Sequence, residues 1–161
     1  RCPWATFGKL KHRGPNIVTS LELDPAEMEK RNIHLQQKYA EIEEKEVRYE
    51  EIHCDDAEYL IVAFGSCARI AQKAMEEARA EGIKVGLLRP ITLWPFPSKA
   101  IAERSRQVKG ILTVELNAGQ MVEDVRLAVE CKVPVEYFGR LGGIVPDPDE
   151  VVTALKEKII K

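Results

Sequence analysis

The hydrophobic positions change their period along the chain. Residues 1–23 show no period: RCPWATFGKLKHRGPNIVTS is broken by glycine and proline and reads as a linker or arm. Trp4 and Phe7 are its anchors, on a neighbouring surface or on the chain's own domain. From Asp24 a helical period sets in. Asp24 suits an N-cap, Pro25 the first turn, and Glu27 the third position after the cap. Met28, Leu35, Tyr39 and Ile42 follow at spacings of seven, four and three. That predicts one apolar stripe on a helix to about Glu46, with a solvated face of Glu, Lys and Arg around it. Residues 24–57 thus form a charged helix and a connection.

Over residues 58–161 the pattern alternates. EYLIVAFGS is an apolar run ending at Gly65-Ser66. Ile70, Ala71, Ala74, Met75 and Ala78 then mark a helix closed by Gly82. IKVGLLRP is the next strand, stopped by Pro90. After ITLWPFPS, Pro97 opens a helix through Ile101 and Val108 to Gly110. ILTVEL is a third strand, followed by a helix with Met121, Val122, Val125, Ala128 and Val129 on its apolar face. VPVEYFGR is a fourth strand, and Asp147-Pro148-Asp149-Glu150 caps a last helix that turns Val152, Leu155 and Ile159 inward. Continuously apolar strands separated by helices mean an α/β domain with a largely parallel sheet covered on both faces. In such a sheet the loops after the strands gather at one edge. That edge collects Ser66 and Arg69, Arg89 to Pro97, Glu115 to Gln120, and Gly139 to Pro146.

Composition narrows the chemistry. The 161 residues carry a formal net charge of -2, which gives no footprint of nucleic-acid binding. No apolar run approaches the ~20 residues of a membrane span, and no signal peptide is visible. The expected location is cytoplasmic. A start at Arg1 rather than methionine suggests a piece of a longer chain. Cys2, Cys54, Cys67 and Cys131 make no Cys-x-x-Cys pair, so they read as free thiols. Cys67 sits at a helix start, where a thiol pKa can fall, but no histidine lies near it in sequence. His12, His34 and His53 all precede the alternating region, so no metal site or acid–base role is expected of them.

Four edge segments are candidates. Gly65-Ser66 with Arg69 is either an anion cradle or a simple N-cap. FGRLGGIVPDP, with Arg140, Gly142 and Gly143, is an anion or carbonyl cradle, an interface loop, or only the lead into the capped helix. RPITLWPFPS, stiff and aromatic at Trp94 and Phe96, suits an interface or covers the domain's own core. The elbow LNAGQ follows Glu115 and carries Asn117, Gly119 and Gln120. A carboxylate and two amides could orient a substrate, yet no nucleophile–base pair accompanies them. The residues favour a joint or interface over a catalytic centre.

These segments also carry a resemblance. VELNAGQMVEDVRLAV, FGRLGG, LLRPITLWPFPS, EYLIVAFGSCARIA, and RGPNIVTSLELDP leading to KYAEIEEKEVRYEE together resemble the alpha subunit of the 2-oxoacid:ferredoxin oxidoreductases. The likeness runs from about residue 10 to the C-terminus and is nearest to the 2-ketoisovalerate type, with the 2-oxoglutarate and pyruvate types next. It implies a transketolase C-terminal-like fold: a three-layer α/β/α sandwich, mostly parallel, with one antiparallel edge strand. It further implies a holoenzyme that converts a 2-oxo acid, coenzyme A and oxidised ferredoxin to acyl-CoA, CO2 and reduced ferredoxin. Thiamine diphosphate, Mg2+ and iron–sulfur clusters would serve that reaction, with beta, gamma and ferredoxin-like delta subunits as partners. The chain has no Gly-Asp-Gly motif and no cluster-binding cysteine set. The implied role is therefore structural, with no catalytic residue, no thiamine site and no activity for the piece alone. Ser66, Arg69, Arg89 and Arg140 are candidates for coenzyme A or interface contacts. Trp94, Phe96, Glu115, Asn117, Gly119, Gln120, Gly142 and Gly143 are candidates for interface loops. The competing expectation is a free-standing module that binds a nucleotide or another phosphate.

Overall fold

A computed structural model describes residues 8, 11, 12, 14, 17 and 21–160. The arm reading, with Trp4 and Phe7, and Cys2 fall outside the described residues or mostly so. Contacts divide the chain into a unit ending at Lys38 and a unit beginning at Tyr39, a division that falls within the first helix.

In the first unit the chain enters α1 (Pro25–Lys45). Asp24 caps it as its side chain suggests, with Oδ1 accepting the N–H groups of Ala26 at 2.8 Å and Glu27 at 3.1 Å. Glu27 does not complete the reciprocal box. Its carboxylate takes Lys30 instead, at 2.6 Å. No residue of α1 is fully buried, so the stripe at Met28 and Leu35 is only half-covered.

The second unit holds the sheet. Its strands are β1 (Tyr49–Ile52), β2 (Tyr59–Ala63), β3 (Val85–Pro90), β4 (Ile111–Glu115) and β5 (Val135–Gly139). Its helices are α2 (Gly65–Ala80), α3 (Ser98–Arg104), α4 (Met121–Val129) and α5 (Pro148–Leu155), and the last runs into a π-helical turn over Lys156–Ile160. The sheet order is β1-β3-β2-β4-β5. β1 is antiparallel to β3 and every other pair is parallel. This is the expected α/β/α sandwich with one antiparallel edge.

Alternate residues of the central strands feed two cores. Ile61, Ala63, Leu87, Leu112 and Val114 pack against Met75 of α2 and Leu155 of α5. Leu60, Val62, Leu88 and Ile111 face Ile101 of α3 and Val122 and Val125 of α4. Each fully buried Leu or Ile contributes roughly 1.5–3 kcal/mol of transfer free energy. The small side chains of Ala68, Ala71, Ala74 and Ala78 let α2 lie close on the sheet. Gly82 ends that helix at φ +88°, where its N–H reaches the Arg79 carbonyl and the Ile83 N–H reaches Ala78.

Three readings change. Residues alone placed no strand before Glu58, because YEEI is charged and exposed. The strand forms by antiparallel backbone pairing with β3, and its charges are answered by side chains: Glu50 meets Arg89 at 2.8 Å, and Arg104 grips Glu51 at 2.9 and 2.6 Å. The helix read from Pro97 to Gly110 spans only Ser98–Arg104, since Ser105 turns its hydroxyl back to the Ala102 carbonyl and ends it. Neither Gly65 nor Ser66 caps α2. Phe64 is the N-cap residue and makes no side-chain bond, and Gly65 enters at φ +57°.

Candidate functional site

The chain leaves β2 for β3 on one side and reaches β4 on the other. The carboxyl edge between β2 and β4 is therefore the switch point of the sheet, where doubly wound folds hold their ligands. Phe64–Ser66 lies on one side of it and the elbow on the other.

Glu115 is the last residue of β4 and is fully buried. Its carboxylate has a complete set of partners within the chain. Oε2 accepts the N–H of Met121 at 2.8 Å, the N–H of Gln120 at 3.3 Å and the Asn117 amide at 3.1 Å. Oε1 accepts the N–H of Val122 at 3.0 Å. A strand-end carboxylate thus satisfies the free donors at the start of α4 and sits at the positive end of that helix. Asn117 closes the elbow, its Oδ1 accepting the Gly119 N–H at 2.7 Å. Gly119 has φ +100°, a conformation that glycine adopts without penalty. The Tyr137 hydroxyl of β5 donates to the Asn117 carbonyl and braces the elbow from the other side. Burial, then the Glu115 charge, raises the Tyr137 pKa, so the phenol stays a donor.

The elbow is a joint. Its carboxylate is spent on the helix start and its asparagine on the turn. Tyr137 is the member that sequence reading missed, because nothing in VEYFG marks a tyrosine that braces a loop.

The neighbouring thiol follows the same logic. Cys67 is buried in α2, and burial followed by the Glu115 charge pushes its pKa up rather than down. The helix start does not make it a reactive thiolate. Cys54 is buried as well, and burial with the Glu51 charge raises it to about 11.

The four polar candidates do not converge. Arg89 leaves β3 toward Glu50 on β1. Arg140 follows β5 and binds Glu150, whose carboxylate also accepts the Asp147 N–H at 3.1 Å and completes the cap of α5. β2 and β4 lie between these arginines, a separation of about 14 Å at ordinary strand spacing. Ser66 and Arg69 are exposed on the first turn of α2. Two of the three guanidinium groups are already neutralised, so these residues form no ready phosphate cradle. Among the described residues no group of three His, Cys, Asp or Glu side chains is placed to hold a metal ion.

The same edge is apolar. Ile91 and Leu93 after β3, Leu116 after β4, and Leu141, Ile144 and Val145 after β5 are all exposed. Trp94 is 54% exposed, whereas Phe96 is half-buried and packs against the core of α3 and α4. Gly142 and Gly143 carry φ +65° and +86° with open space around both, and so shape the Leu141–Val145 loop. No helix among the described residues is long and apolar enough to cross a membrane.

Residues 57–151 match the family described as pyruvate:ferredoxin oxidoreductase core domain II. The chain is 49% identical over 154 residues to a ketoisovalerate oxidoreductase subunit, VorB, of Methanothermobacter thermautotrophicus, and 46% identical to that of Methanothermobacter marburgensis. Each match covers 96% of this chain and 43% of the relative, so the chain spans less than half the length of these relatives. Among solved structures it superposes with TM-score 0.72 and 25% identity on a 2-oxoglutarate:ferredoxin oxidoreductase from Magnetococcus marinus that holds 2-oxoglutarate, coenzyme A and succinyl-CoA, over 84% of this chain and 24% of that one. A split-gene transketolase, an inactive beta4 tetramer, shares the fold at TM-score 0.60, over 68% of this chain and 40% of that one. With the matched segment covering more than half its length, the chain belongs to the pyruvate:ferredoxin oxidoreductase core domain II family.

Proposed function

We propose that this chain is the core domain II portion of the alpha subunit of a 2-oxoacid:ferredoxin oxidoreductase acting on 2-ketoisovalerate, and that its part is architectural. The holoenzyme would convert the 2-oxo acid, coenzyme A and oxidised ferredoxin to acyl-CoA, CO2 and reduced ferredoxin in the cytoplasm. Thiamine diphosphate with Mg2+, and iron–sulfur clusters, would supply carbanion and electron-transfer chemistry from other parts of the assembly. The domain's own work is to present the carboxyl edge, with Leu116, Leu141, Ile144 and Val145, to the rest of the alpha chain or to the beta, gamma or delta subunits. Asn117, Gly119, Gln120, Gly142 and Gly143 hold the loops of that edge in shape, and Trp94 and Phe96 extend it.

The observation that carries this reading is the elbow. The buried carboxylate at the switch point binds the start of its own helix, and the loops beside it carry an exposed apolar rim. Arg89 and Arg140 are read as braces of β1 and α5, and exposed Arg69 remains for a coenzyme A phosphate.

The test starts from the native protein, captured from its source cells with an antibody to this domain. Mass spectrometry should find companion subunits, and the material should oxidise 2-ketoisovalerate with coenzyme A faster than pyruvate or 2-oxoglutarate. A native protein that purifies without companions and binds a nucleotide by itself would overturn the proposal in favour of a free-standing module.

A further inference from the structure

A groove of about 650 Å³ opens beside β1, away from the switch point, between the last turn of α1 and the loop that follows β3. Its floor is apolar and aromatic: Val47, Tyr49, Trp94 and Phe96 line it. One wall is the last turn of α1, which contributes Glu43 and Glu44. Their neighbours Glu41 and Glu46 are paired with Lys45 at 3.7 Å and Arg48 at 3.0 Å. Glu43 and Glu44 have no such partner among the described residues. They also stand at the carbonyl end of α1, whose dipole adds partial negative charge to theirs. Lys99 supplies the single positive charge of the lining.

The aromatic side is held ready. The N–H groups of Ile91 and Thr92 bind the Arg48 carbonyl at 2.9 and 3.1 Å, and the Thr92 hydroxyl accepts the Arg48 N–H at 3.0 Å. That hydroxyl donates to the Pro95 carbonyl at 2.9 Å. Tyr39 meets the Trp94 ring edge-on, with centroids 5.6 Å apart. The indole is thus fixed yet 54% exposed, a large rigid contact whose ordering cost is already met by the fold.

We infer that this groove receives a segment of a partner subunit that carries a Lys or Arg beside an apolar side chain. The apolar residue lies on Trp94 and Phe96, and the cation meets Glu43 and Glu44. Charge complementarity selects this occupant: two unpaired carboxylates at a negative helix end disfavour an anion and attract a cation. The inference rests on the subunit-interaction reading above and names the chemistry of one contact.

The test uses the full-length alpha chain in its assembled complex. Tyr49 is replaced by the photo-crosslinker p-benzoylphenylalanine, and the irradiated complex is digested and mapped. The expected adduct joins this position to a peptide of another subunit, with Lys or Arg next to an apolar residue. In parallel, the double variant E43K/E44K should weaken association about tenfold at low salt, with the deficit shrinking as salt screens it. An adduct to this chain itself, an adduct to an acidic or neutral peptide, or no adduct in an intact complex overturns the groove assignment and leaves the subunit role standing. A chain that forms no complex at all overturns both.

Discussion

Replacing Glu115 separates a joint from a reaction centre. In Glu115→Ala the buried N–H groups of Met121 and Val122 lose their acceptors, which lie at 2.8 and 3.0 Å. Each buried donor left without a partner costs about 1–3 kcal/mol, so the pair costs roughly 2–6 kcal/mol. Gln120 is exposed, and water replaces the carboxylate at its N–H. A loss of about 4 kcal/mol is expected. Glu115→Gln keeps one oxygen for one of the two donors but gives up the charge at the helix start, worth about 0.5 kcal/mol. It should lose about 2 kcal/mol. Urea unfolding followed by far-UV circular dichroism reads both, and an unchanged slope keeps the comparison valid. In thermal unfolding the alanine variant should fall by roughly 10 °C for a domain of this size. An alanine variant within about 1 kcal/mol of wild type would refute the cap, because those donors would then have found other partners.

Other consequences follow from the same packing. Gly139→Ala should cost at least about 2 kcal/mol, since a Cβ there meets the Tyr137 hydroxyl and lies 2.7 Å from the Glu115 carbonyl; Tyr137→Phe should not rescue it, because the carbonyl remains. Glu130 ends α4 in the left-handed region at φ +52°, so Glu130→Gly should stabilise the fold by about 0.5–1 kcal/mol in the same urea assay. With a thiol reagent near pH 8, exposed Cys131 should react quickly, whereas Cys54 and Cys67 should react only on unfolding. Cys54 also carries a pH signature. Its folded pKa of about 11 lies above the unfolded value near 9, so above pH 9 the unfolded chain binds fewer protons than the folded one. Stability should fall between about pH 9 and 11, and Cys54→Ala should flatten that fall.

The parallel core was legible because its strands are apolar on both faces, so YLIVA and ILTVE could hardly be anything but buried strands beside helices of period 3.6. β1 was not legible from its residues: YEEI has no apolar pattern, its place is set by backbone pairing with β3, and its charges meet Arg89 and Arg104, which lie 39 and 53 positions away in sequence. The elbow shows the same limit from the opposite direction. Glu, Asn and Gln around a glycine are what a substrate-orienting loop needs and also what a strand-to-helix joint needs. Both uses demand acceptors aimed at N–H groups, and the string does not say whose. The deciding facts are that the seven residues from Glu115 to Met121 close on themselves and that Glu115 is fully buried, so its lone pairs meet the first turn of α4 before any ligand could. An apolar rim around a satisfied polar joint is what the proposed subunit-contact role requires of this edge. The groove at Trp94 differs because its carboxylates are not satisfied within the described residues, and that difference makes it the place to look for a specific partner.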